Sequence, residues 1–231
     1  FQVSAGISDA AYALGAGLFF LTYSLFEIPS NLIMHRVGAK LWMCRIMVTW
    51  GLISAAMAFV TSEASFYLLR LLLGAAEAGF FPGVILYLTY WFPNPVRGQM
   101  MGLFYFGAPA AFILGGPLSG LLLEMDGFAG LLGWQWMFLV EGLLAPMVGV
   151  WAYSYLDDGP ATARWLPEAE RQALTTEIER EDQVRHSAGR VSFARAVLDR
   201  RVAQFIAIYF LIQMSVYGVI FYLPSQVAAL L

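Results

Sequence analysis

The sequence predicts an all-α membrane protein, and three observations carry that prediction. Of its 231 residues, 60% are hydrophobic and only 13% charged, with a mean hydropathy of +0.68. A soluble domain has about 25% charged and about 45–50% apolar residues. Six stretches are long enough to cross roughly 30 Å of hydrocarbon, which takes about 20 apolar residues as a helix. Among the connections between these stretches, only alternate ones hold Lys or Arg. Helices satisfy their own backbone hydrogen bonds in lipid. An outer-membrane barrel is excluded, because its strands would read as short alternating segments.

The expected spans follow in order. The first, Ala10 to Met34, has Glu27 as its one charge, and the second, Leu41 to Val60, has Arg45. The third, Ser65 to Trp91, carries both Arg70 and Glu77. The fourth, Met100 to Leu123, is uncharged; the fifth, Trp136 to Leu156, holds Glu141; the sixth, Val202 to Leu223, is uncharged. Pro29, Pro82, Pro109, Pro117 and Pro146, with many glycines, suit helices that pack closely and bend, since neighbours in a membrane bundle re-satisfy freed backbone groups. Three regions are therefore expected: a helical bundle over 1–156, a polar loop over 157–201, and a further helical region over 202–231. Within the loop, Pro167 followed by EAERQALTTEIERED predicts a short surface helix.

Orientation is read from Lys and Arg rather than from net charge. Arg36 and Lys40 lie between the first and second spans, Arg97 between the third and fourth, and eight arginines crowd the long loop. The other two connections, Thr61–Ala64 and Glu124–Gly133, contain acids and no Lys or Arg. The basic connections are therefore expected to be cytoplasmic. The chain begins at Phe1, so a fragment or a processed product is expected, and no signal-peptide pattern opens it.

The segment RLLLGAAEAGFFPG, Arg70 to Gly83, places two opposite charges in an otherwise apolar run. Seven residues separate Arg70 from Glu77, about 10 Å along one helix face. Direct pairing prefers a spacing of three or four, so each needs another partner. Ionisable residues in membrane helices face the bundle interior or a water-filled cavity, and a polar path is expected here. Desolvation favours the protonated form of a carboxyl and a nearby cation favours the charged one. Glu77 is therefore expected to exchange a proton as its surroundings change. Arg70 stays charged, and its planar fork matches a carboxylate. Tyr209, Gln213 and Tyr217, four residues apart on the sixth span, are candidates for cavity lining. Arg45 is expected to snorkel or pair with a loop acid, and Glu27 to pair with Arg36 or Arg45. Glu141 is a weaker candidate, and His35, at a helix end, is read as solvated or capping.

Several chemistries find no pattern. Cys44 is a single cysteine, which excludes an internal disulfide. No spacing resembles a zinc or iron site, and no Gly-rich phosphate loop ends in Lys-Ser or Lys-Thr. The long loop mixes acids with its arginines, so no nucleic-acid partner is expected. No nucleophile constellation suggests an enzyme. The expected partners are the lipid bilayer and a small organic anion, and a monomer is expected.

The motifs then carry a resemblance. NLIMHRVGAK, Asn31 to Lys40, resembles the cytoplasmic loop signature Gly-x-x-x-Asp-Arg-x-Gly-Arg-Arg of the major facilitator superfamily. Arg36, Gly38 and Lys40 match it. Asn31 replaces the glycine, His35 the aspartate and Ala39 the first of the paired arginines, so the usual acidic latch is not present in that form. ILGGPLSG, Ile113 to Gly120, resembles the superfamily's fifth-helix Gly-Pro motif. FEIPSNL, RIMVTWG, GAAEAGFFPGV, YWFP, GWQWMFLVEG and YGVIFYLP, in that order, resemble the anion:cation symporter family, which includes bacterial permeases for tartrate, phthalate, hydroxyphenylacetate and sugar acids.

The resemblance implies a twelve-helix fold, of which the spans here are the second to the seventh, the first lying before Phe1 and the eighth to twelfth beyond Leu231. It implies a gating loop at Asn31, Arg36, Gly38 and Lys40, anion binding at Arg70 and proton coupling at Glu77. It also implies an inner-membrane location in a bacterium, with no cofactor and protons as the coupling ion. The expected function is proton-coupled symport of an organic anion by alternating access. Efflux of a metabolite or drug-like compound is the alternative within transport. A non-transporting membrane sensor is the alternative outside it, and a large extra signalling domain would mark it.

Overall fold

The computed structural model describes residues 1–187 and 199–230. Among these residues every regular element is helical. The chain divides into two compact units, Phe1–Glu181 and Asp182–Leu231.

The first unit opens with a short helix α1 (Gln2–Ala5), followed by α2 (Asp9–Val37) and α3 (Ala39–Ala56). Then come α4 (Glu63–Glu77), α5 (Phe80–Trp91), α6 (Asn94–Tyr105), α7 (Gly107–Leu123) and α8 (Gly133–Tyr155). The surface helix predicted after Pro167 is α9 (Glu168–Ser187). Five stretches of this unit are long and apolar enough to cross a membrane: Asp9–Val37, Ala39–Phe59, Glu63–Trp91, Asn94–Leu123 and Gly133–Tyr155. They are the first five expected spans, each with shifted ends. The second unit contains α10 (Arg200–Leu230), one continuous helix over the sixth expected span.

Local chemistry sets the helix ends. The Ser8 hydroxyl caps α2 by accepting from the Ala11 N–H at 3.2 Å, leaving its own proton for Glu63 Oε1 at 2.7 Å. Glu63 opens α4, so this bond fastens the starts of α2 and α4 side by side. Ser62 and Ser65 form a reciprocal capping box at the same end of α4. α2 turns into α3 at Gly38, whose φ of 99° is costly for any residue with a Cβ.

Two close helix pairs build the bundle. α2 and α4 run parallel, with Phe66 packed on Gly15 and Gly74 set against the Phe19 carbonyl and Thr22 hydroxyl. α3 and α8 run antiparallel, Gly51 meeting Pro146 and Gly142 meeting Ala55. Small residues at these crossings let backbones approach closely, the packing that lipid does not otherwise drive. Two apolar clusters pack the helices together. Ile7, Ala11, Met57, Val60, Phe66 and Trp134 form one. Met34, Met43 and Ile46, with Phe80, Val84 and Tyr87 against them, form the other.

The third expected span is not one continuous helix, and here the structure corrects the expectation. α4 ends at Glu77, Ala78 leaves helical geometry with ψ 130°, and Gly79 takes the left-handed conformation with φ 87° before α5 begins. Pro82 falls in the first turn of α5, where its missing N–H costs nothing. A Cβ on Gly79 would overlap the Ser30 hydroxyl of α2. Gly79→Ala therefore combines a left-handed strain of about 1–2 kcal/mol with a steric overlap. It is expected to lower the melting temperature of the detergent-solubilised full-length protein by several degrees. An unchanged midpoint would mean that the break is not needed for the fold.

Candidate functional site

The break gives the two ionisable residues of α4 their setting. Seven residues bring Glu77 back to within about 20° of Arg70 around the helix. Phe66, just before Arg70, belongs to one apolar cluster, and Phe80, just after Glu77, packs on the other. Both charges thus lie on the stretch between the two clusters.

Arg70 is held on an aromatic platform. Its guanidinium carbon lies 5.1 Å from the centroid of the Phe66 ring, one turn earlier. Phe66 is fully buried and is fixed by Phe1, Tyr12 and Tyr67. A cation over an aromatic face is attracted by the ring quadrupole, which fixes where the fork points. The Arg70 Nε is buried with no hydrogen-bond partner among the described residues, and Arg70 makes no ion pair among them. A buried donor left unmade costs about 1–3 kcal/mol, more when charged. The arrangement can accept an anion and has none of its own.

Glu77 ends α4 at the break, half-buried and without an ion pair among the described residues. Glu141 differs. The Ser119 hydroxyl of α7 donates to its Oε1 at 2.5 Å, so this carboxylate already has a partner and joins α7 to α8. Ser119 gave no signal in the sequence, since a serine among small residues reads as packing.

The expectations for the remaining intramembrane charges need correction. Glu27 forms no ion pair with Arg36 or Arg45 within the described residues. Arg45 pairs with no loop acid there; its guanidinium stacks at 3.9 Å on Trp42. His35 is not simply solvated, for its Nδ1 lies 3.4 Å from the Tyr90 hydroxyl.

The loop between α2 and α3 brings its motif residues together in a particular way. The Asn31 amide turns back to the Glu27 carbonyl at 2.8 Å, inside α2. Arg36 is exposed. Gly38 makes the turn, and the Lys40 backbone N–H donates to Asp158 Oδ1 at 3.1 Å. The Lys40 ammonium sits 4.9 Å over the Tyr153 ring. Asp158, just past α8, thus brings a carboxylate to a loop whose own motif position holds His35. Tyr87 seconds this link, donating to the Asp157 carbonyl at 2.6 Å.

α9 is fastened to the start of α6. Glu181 accepts from the Asn94 N–H at 2.8 Å and from Arg97 at 3.3 Å, with both charged side chains only 14% exposed. Arg97 also donates to the Phe92 carbonyl and the Asn94 side chain. Trp165 stacks on Trp91 with 5.9 Å between centroids.

In the second unit, Tyr209 and Gln213 share one flank of α10 with Val202, Phe205, Ile206 and Phe210. The side chain of Tyr217 lies outside the described residues.

Fold and site define a multi-pass helical membrane protein with two charges inside one broken span that form no ion pair among the described residues. The chain belongs to the major facilitator superfamily, whose family model matches residues 1–229. It is 49% identical over 231 residues to the inner membrane transport protein RhmT of Escherichia coli (strain K12), covering 100% of this chain and 53% of that relative. It is 48% identical over 205 residues to an Agrobacterium vitis protein provisionally named a tartrate transporter, covering 89% of this chain and 47% of that one. It is 46% identical over 224 residues to a quinolone resistance transporter of Acinetobacter baumannii, covering 95% and 51%. The chain spans about half the length of the curated relatives it matches. These relatives support the likeness to anion:cation symporters read from the motifs.

Proposed function

We propose that this chain is part of a secondary transporter of the bacterial inner membrane that carries an organic carboxylate inward together with a proton. The observation that carries the reading is the Arg70 guanidinium, set on Phe66 with a buried Nε–H that has no acceptor among the described residues. A carboxylate would dock at that fork from one side of the membrane. Glu77, at the helix break and in no ion pair among the described residues, would take up the proton, and the two events would together favour rearrangement to the opposite-facing state. A ligand shifts such an equilibrium only by its unequal affinity for the two states. The requirement for both charges is what would couple the two fluxes. A relative named for tartrate agrees with a small hydroxylated acid as substrate.

The Acinetobacter relative favours a second reading, outward transport of a drug-like compound. Uptake by the full-length protein in proteoliposomes separates the two. Tartrate, sugar acids, phthalate and hydroxyphenylacetate would be offered with and without an inward proton gradient. Gradient-driven accumulation of one acid is the expected result. Accumulation of none by folded protein, with export of a quinolone, would replace symport by efflux.

A further inference from the structure

Arg45 has no part in that mechanism, yet it is the other arginine with an orphaned buried atom. Its Nε is buried without a hydrogen-bond partner among the described residues. Its NH1 lies 3.5 Å from the Thr49 hydroxyl, at the limit of a hydrogen bond. Thr49 and Trp42 are neutral, and a charge in a span without a counter-ion is costly, so this one wants an anion from elsewhere.

The faces of α3 say where that anion comes from. Met43 and Ile46 turn into the cluster shared with α5. Trp42 reaches α2, its Nε1 donating to the Ser30 hydroxyl at 2.9 Å. Met47, Gly51 and Ala55 turn to α8. Helical spacing leaves Leu41 and Arg45 on the remaining face. There a groove of about 320 Å³ runs between α3 and α8, lined by Leu41, Arg45, Val48, Val150 and Tyr153 among others. Leu41, Val150 and Tyr153 are exposed. Gly149 lets α8 approach α3 closely along the groove, since a Cβ there would come within 2.9 Å of the Met47 Cβ and 3.3 Å of the Cys44 carbonyl.

Charge and depth choose the occupant. Arg45 stands six residues into α3, about 9 Å from its start. Lys40 lies at the mouth, over Tyr153, and Arg36 is exposed beyond it. The acid nearby is Asp158, whose Oδ1 already accepts the Lys40 backbone N–H. A free hydrophilic anion would leave the apolar walls unfilled. An amphiphile fits both parts, and basic pockets between spans on the cytoplasmic side are where anionic headgroups bind.

We propose that the α3–α8 groove holds one anionic phospholipid, its phosphate on Arg45 and Lys40 and an acyl chain along Leu41, Val48 and Val150. The lipid would bring a counter-ion to the Arg45 guanidinium and would seal the close α3–α8 pair from outside.

The test is native mass spectrometry of the full-length protein released from nanodiscs with equal phosphatidylglycerol and phosphatidylethanolamine. The expected result is one retained phosphatidylglycerol, lost about fivefold more readily from Arg45→Gln, since each basic residue near an anionic headgroup contributes about that factor. Val150→Glu alters an exposed wall and leaves Arg45 in place, so it should repel the same lipid even if Arg45→Gln fails to fold. Arg45→Lys should keep most of the retention. Equal retention of the two lipids, or no loss in Val150→Glu, would overturn the proposal. So would release of the lipid by millimolar inorganic phosphate, which would make the site one for free anions.

Discussion

Arg70→Ala is expected to abolish saturable binding of the carboxylate substrate while the full-length protein still inserts and folds. Removing one partner of a buried, hydrogen-bonded charge pair costs about 2–5 kcal/mol. Affinity should therefore fall at least about thirtyfold. The loss should not come from unfolding, because Arg70 makes no ion pair among the described residues and its Nε bonds nothing there. What it gives up is the stack on Phe66, a contribution of about 0.5–2 kcal/mol. Arg70→Lys is the sharper variant. It keeps the charge and discards the planar fork, so it should recover only part of the affinity. Substrate titration against the purified protein, with a melting curve for each variant, measures both effects. Unchanged affinity in Arg70→Ala would move the anchor to another residue.

Glu77→Gln should separate the two fluxes. Glutamine copies the shape of a protonated glutamate and cannot release the proton. The variant is expected to lose gradient-driven accumulation while still exchanging labelled for unlabelled substrate across the membrane. The sign with pH follows. Wild-type uptake at fixed substrate should fall as the outside pH rises, because the protonated carrier becomes scarce. Exchange by Glu77→Gln should be nearly indifferent to the same change. Full accumulation by the variant would end the proton role of Glu77.

The spans could be read from the sequence because hydrophobic length in a membrane is set by the bilayer and needs no tertiary knowledge. The surface helix after Pro167 was equally readable from its first turn and its charges. The break at Ala78 and Gly79 was harder, since the run GAAEAGFFPG stays apolar through it. Gly79 and Pro82 were visible as breakers, but only the Ser30 side chain packed against Gly79 shows why that glycine takes the turn. Arg70 and Glu77 stood out because charges in such a run are expensive. That Arg70 rests on Phe66 follows from helical spacing; that Phe66 is rigid depends on Phe1, Tyr12 and Gly15, brought there by α1 and α2.

Long-range partners were out of reach in principle. Asp158 meets Lys40 across 118 residues and Glu181 meets Arg97 across 84. Acids that approach a distant helix start look, in sequence, like any solvated acid. The same reason explains the unfulfilled pairing of Glu27. Proximity along the expected bundle suggested Arg36 or Arg45, and side-chain direction decided otherwise, with Arg45 turned onto Trp42.

The central claim is that a carboxylate at Arg70 and a proton at Glu77 cross the membrane together. The most direct test is simultaneous recording of acid uptake and internal acidification in proteoliposomes of the full-length protein, with no imposed pH gradient. An inward gradient of the transported acid should acidify the lumen in proportion to uptake, and Glu77→Gln should take up or exchange the acid without acidifying it. Uptake by the wild-type protein without acidification would contradict the account.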